Sequence, residues 1–136
     1  MKEYQFADGY KPRLPDGIYE AQCFRYDNRF VLGKAKKLFL HFKIIEQGEH
    51  HGKEIFMAFN MRYDDKIKQG SKYFKTWCMV NDWRMPSRNA KLSPRLFLKK
   101  IYKVKTRTVK PEHNKKPVPE PFWYSVVDEI QEVIAG

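Results

Sequence analysis

The sequence predicts a mainly β chain in the order β-β-β-α-β-β. Three observations carry that reading. Stretches such as LFLHFKIIE and IYKVKTRTV alternate apolar and polar residues, which is the period of a half-buried strand. Helical spacing appears between the third and fourth such stretches, where Tyr73, Phe74, Trp77 and Val80 recur. The charge is also uneven. Residues 84–116 hold twelve Lys and Arg against one acid, Glu112, so their surplus equals the +11 of the whole 136-residue chain. A quarter of the chain carrying all the excess charge points to a polyanionic partner.

The elements follow in order. Residues 1–16 are polar and aromatic and end in Leu14-Pro15-Asp16-Gly17, which reads as an N-terminal arm closed by a turn. Residues 17–134 then form a single domain, as expected for a chain of this length. In the first strand, 17–26, Tyr19, Ala21 and Cys23 share one face. Phe24 and Tyr26 continue the opposite, polar face and are expected to be exposed. Residues 27–37 read as a basic loop with Arg29, Lys34, Lys36 and Lys37 around Phe30. The second strand, 38–46, turns Leu38, Leu40, Phe42 and Ile44 inward and Phe39, His41 and Lys43 outward. QGEHHGK, with two glycines, is a hairpin turn. The third strand, 54–62, is apolar on both faces, so its orientation stays open.

Ser71 is a good N-cap for the helix. Ser93-Pro94 starts a second, short one, with Leu92 and Phe97 spaced as a hydrophobic staple. The fourth strand carries Lys103, Lys105 and Arg107 on one face and Tyr102, Val104, Thr106 and Thr108 on the other. Residues 110–121 hold four prolines and read as a long basic loop. The last strand is 122–133.

Three strands, one or two short helices and two strands is the order of the OB-fold, a five-stranded Greek-key barrel. That barrel grips oligonucleotides on the outer face of its second and third strands and with its 1–2 and 4–5 loops. Both loops are basic here. Aromatic residues make up 15% of the chain, more than a core of this size needs. Exposed rings beside clustered cations suit stacking on unpaired bases.

LPDGIYEAQC, KLFLHFKIIEQGEHHGKEIF and LFLKKIYKVKTRTV together resemble the small single-stranded-DNA-binding proteins of bacteriophages and integrated mobile elements. Gly17, Tyr19 and Ala21 match a G-x-Y-x-A first strand. Ile44, Ile45, Glu46, Gly52 and Lys53 match the hairpin that follows. The resemblance implies single-stranded DNA as partner and a role beside the replication or recombination proteins of a mobile element.

Site expectations follow. Lys103, Lys105 and Arg107 are assigned to the phosphate backbone, because three like charges on one face repel without a partner. Arg29, Lys37 and Lys43 are further phosphate contacts. Phe30, Phe39 and Tyr26 are stacking residues. Arg84 follows Trp83, a further ring that either stacks or lids the core; Arg88, Lys115 and Lys116 add diffuse attraction from loops. Together these cations are expected to line one groove. No catalytic residue, cofactor or metal is expected: His50-His51 lack ligand partners at zinc spacing, and Asp64-Asp65 read as helix-start acids. RNA in place of DNA, and homo-oligomers, stay open.

Two other classes remain. One is an interaction or inhibitor module of the phage counter-defence type, whose basic face covers an acidic or DNA-binding surface. The other is a small nuclease holding magnesium at Asp64 and Asp65. Cys23 and Cys78 sit among apolar residues and read as buried thiols. The first residues, MKEYQFADGYK, lack the apolar core of a secretion signal, and no apolar run approaches the ~18 residues of a membrane span. A reducing cytoplasm is the expected compartment.

Overall fold

Five strands form one antiparallel sheet in the computed structural model, which describes Glu3 and residues 11–31 and 35–136. The strands are β1 (Ile18–Val31), β2 (Ala35–Ile44), β3 (Glu54–Met61), β4 (Ile101–Val109) and β7 (Tyr124–Ala135), in the spatial order β3-β2-β1-β4-β7. Between β3 and β4 lie helix α1 (Lys72–Val80) and a 3₁₀ turn (Pro94–Phe97). Two short strands, β5 (Glu112–His113) and β6 (Lys116–Pro117), form a hairpin of their own. Among the described residues no helix is long and apolar enough to cross a membrane.

The alternation read from the sequence sets the core. Leu38, Leu40, Phe42 and Ile44 of β2 are buried, and so are Tyr102, Val104 and Thr106 of β4. The orientation left open for β3 resolves with Ile55, Met57 and Phe59 inward. Helix α1 begins where its cap predicts: the Ser71 hydroxyl accepts the Phe74 N–H at 3.1 Å. That bond satisfies a backbone donor the first turn leaves orphaned. The helix lays Tyr73 and Trp77 on the core, and Tyr73 meets Phe59 edge-on at 5.4 Å between centroids.

The arm is part of the core at its end. Leu14 is 1% exposed. The Ser125 hydroxyl accepts the Leu14 N–H at 2.7 Å and donates to the Leu14 carbonyl at 3.1 Å. Thr106, also buried, takes the Gly17 N–H at 3.1 Å. Two small hydroxyl residues in adjacent strands thus satisfy the polar backbone of a segment with no regular structure.

The expected mainly β, five-stranded architecture is present as an antiparallel sheet whose ladders do not close. Its edges β3 and β7 approach closely enough for Phe56 and Tyr124 to sit 6.4 Å apart, yet no ladder joins them. The arm takes the bond instead: the Ser125 N–H donates to Pro12 at 2.9 Å. The predicted 27–37 loop is mostly strand, because β1 and β2 continue as a long hairpin paired to Val31↔Ala35. Lys34 lies outside the described residues. The predicted 110–121 loop holds the β5–β6 hairpin, whose turn residues Asn114 and Lys115 have φ of 53° and 64°, the left-handed pair of a tight hairpin turn. Asp64 and Asp65 are not helix-start acids, since α1 begins at Lys72.

Cys23 and Cys78 are both buried free thiols. Burial pushes the Cys23 thiol up to about 12 and raises that of Cys78. The thiolate is the reactive form. A disulfide reagent at pH 8 is therefore expected to label neither cysteine in the native protein and both in denaturant. Rapid native labelling would contradict the packing. A raised folded value makes Cys23 stabilising below the free-thiol range, ~8.5, and that contribution falls as pH climbs toward 12.

Candidate nucleic-acid interface

The outer face of the sheet carries a continuous line of rings. Phe24 of β1 lies 6.2 Å from His41 of β2. His41 lies 6.5 Å from Phe39, Phe39 lies 5.4 Å from Phe56 of β3, and Phe56 lies 6.4 Å from Tyr124 of β7. Four strands contribute. The line exists because β2 pairs with β1 at Arg25↔His41 and with β3 at His41↔Phe56, so outward positions fall side by side.

Cations stand along this line. Lys43 lies 5.7 Å from the centre of Phe24, and the Arg29 guanidinium lies 4.8 Å from Phe39. Lys11 of the arm sits 5.7 Å from Phe56 and 4.2 Å from Tyr124. Beside Tyr124, Trp123 has Lys110 and Arg13 over its ring at 4.5 and 5.2 Å. Cations over ring faces gain from the ring quadrupole.

One acid orders the middle of the face. Asp27 accepts from Arg25 at 3.0 Å, from Arg29 at 3.0 Å and meets His41 Nε2 at 2.8 Å. Partial burial alone would raise its carboxyl, but the hydrogen bonds from His41 and Arg29 outweigh that and hold it below the usual range. The carboxylate stays ionised and fixes two guanidinium groups in a row beside the rings.

The expected site residues divide among several places. Arg29, Lys37, Phe39 and Lys43 belong to β1 and β2 at the ring line. Tyr26 is a correction: it packs against the core. The register slips between Cys23 and Arg25, and such a bulge reverses which side chains face inward beyond it. Arg25, Asp27 and Arg29 therefore face out, and Tyr26 does not. Phe30 is 67% exposed, but its ring stacks on Tyr63 at 6.2 Å, away from the line.

The premise for β4 also changes. Lys103, Lys105 and Arg107 are exposed as predicted. They are not without partners, because β7 sets acids beside them. Lys103 pairs with Glu132 at 3.2 Å and Arg107 with Asp128 at 3.0 Å, while Glu129 stands opposite Lys105. The other cations of 84–116 named for the site lie on separate elements. Arg84 pairs with Asp82 at 3.2 Å, Arg88 lines a cleft, and Lys115 and Lys116 sit on the β5–β6 hairpin.

Phe56, His41, Tyr124 and Lys11 went unassigned in the sequence. For Phe56 the signal was present: once Ile55, Met57 and Phe59 face inward, period two turns Phe56 out. Tyr124 and Lys11 join only through the approach of β7 and the arm to β3.

Among the described residues no three His, Cys, Asp or Glu gather to hold a metal. Arg62 takes Asp64 with two bonds, at 3.0 and 2.7 Å, and Lys36 pairs with Asp65. His50 meets Lys53 at 2.9 Å. Compared with known proteins, the chain matches no family model and no curated protein.

Proposed function

We propose that this protein binds single-stranded DNA, largely without regard to sequence, along the ring line from Phe24 to Tyr124. The observation that carries the reading is the line itself: rings from four strands at 5.4–6.5 Å spacing, flanked by Lys43, Arg29 and Lys11. Rings stack on any base face, and cations track any phosphate, so the arrangement is indifferent to sequence. Paired bases do not offer their faces, which biases the surface toward single strands.

The strand order and the helix after β3 support an OB-fold topology. Its ligand face, the outside of the second and third strands, is where His41, Phe39 and Phe56 lie. The alternative, a basic face laid on an acidic partner, has less support. The cationic strand β4 is interleaved with Glu132, Glu129 and Asp128.

Oligo-dT and a duplex of equal length, titrated across a salt series, test the reading. The single strand is expected to bind at least tenfold tighter. Its log affinity should fall with log salt by about 0.7 for each phosphate engaged. Equal affinity for both, with a shallow salt slope, would remove the proposal.

A further inference from the structure

A cleft of about 920 Å³ lies apart from the ring line. Lys36 of β2, Met61 of β3, the turn that follows β3, Tyr73 of α1 and the segment from Met85 to Pro94 line it. That last segment is fastened to the helix. The Tyr73 hydroxyl donates to the Leu92 carbonyl at 2.6 Å, and the Trp77 indole N–H donates to the Ser93 carbonyl at 3.0 Å. The cleft is therefore built into the fold.

Its lining combines two chemistries. Lys36, Arg62, Lys66, Arg88 and Lys91 face one lining acid, Asp65. Lys36 is paired with Asp65, and Arg62 with Asp64. Among the described residues Lys66, Arg88 and Lys91 are in no ion pair. Beside them Met61, Ile67, Met85 and Leu92 supply apolar surface. Phe30 sits opposite the lining residue Lys36 in the hairpin register, and its ring lies nearly parallel to that of Tyr63, at 21°. Both rings are more than half exposed, at 67% and 57%.

A bare phosphate would leave the apolar surface unused. A purely apolar ligand would cover unpaired cations at a desolvation cost. A planar base joined to a phosphate satisfies both. We propose that this cleft binds one phosphorylated nucleotide unit, the base against Met61 and Met85 and the phosphate among Lys66, Arg88 and Lys91. The unit is either a free nucleotide or one residue of a single strand that also lies on the ring line; only the second source rests on the function proposed above.

The test uses the full chain and a Lys66→Glu/Lys91→Glu variant. Both changes are on exposed side chains, and a thermal melt confirms the fold. Thymidine 5′-monophosphate, thymidine and oligo-dT of increasing length are titrated into each protein. The monophosphate is expected to bind saturably and the nucleoside at least tenfold more weakly. The variant should lose the monophosphate by tenfold or more. On oligonucleotides the variant should lose the affinity gained with added length, and its salt slope should drop by about 0.7 per contact removed. Monophosphate binding with unaltered length dependence supports the cleft and assigns it to free nucleotides. Altered length dependence without monophosphate binding supports it as part of a strand path. Absence of both overturns it. If oligo-dT fails to bind the wild-type protein, the ring line loses its function, and the monophosphate titration alone decides the cleft.

Discussion

Replacing Phe39 and Phe56 together by Ala is expected to weaken oligo-dT binding about 30-fold or more, roughly 2 kcal/mol. Each base stacked on a ring contributes ~1–3 kcal/mol, and neighbouring rings are not additive. The two rings are 5.4 Å apart at the centre of the line, so their removal divides it into two ends. Both stand on the outer face, with the core on the far side of β2 and β3, so the variant should fold. The cations remain, and the salt slope should change little. Tryptophan fluorescence or filter binding reads the loss, and far-ultraviolet dichroism checks the fold. A folded variant with wild-type affinity would show that bases do not lie on these rings.

Ser125→Ala is expected to destabilise the protein by roughly 2–4 kcal/mol. The Ser125 hydroxyl is the partner of both the N–H and the carbonyl of Leu14. Ser125 and Leu14 are each 1% exposed, so water cannot take the hydroxyl's place. A buried backbone group left without a partner costs about 1–3 kcal/mol, and the change leaves two. Urea unfolding should show a lower midpoint at unchanged slope, the signature of lost stability without a changed unfolded state. A shift below ~0.5 kcal/mol would mean the arm is not held as described. The arm also carries Lys11 to Tyr124, so the variant links stability to the interface. Its oligonucleotide affinity should fall when the arm frays.

The parts of the fold that were legible are those with a local physical cause. β2 announced its inner face through Leu38, Leu40, Phe42 and Ile44, and β4 announced its own through Tyr102, Val104 and Thr106. Ser71 marked the helix start because its hydroxyl reaches a backbone N–H three residues on. Tyr26 was misread for an equally local reason that leaves no local trace. The slip between Cys23 and Arg25 adds one residue to one strand, and no residue type there announces it. The long β1–β2 hairpin was read as a loop because its outward positions are charged. Asp27 binding Arg25, Arg29 and His41 shows how those charges are accommodated in a strand.

The sequence by itself determined the mainly β character, the inner faces of β2 and β4, the helix cap and the cationic surplus. The surplus is composition, and the others depend on spacings of two to four residues, within which backbone geometry decides where a side chain points. Tertiary structure alone decided that Glu132 and Asp128 would meet Lys103 and Arg107. It also decided that Phe24, His41, Phe39, Phe56 and Tyr124 would form one line. Those groups lie far apart along the chain, and only the register of four strands and the approach of β7 to β3 bring them together.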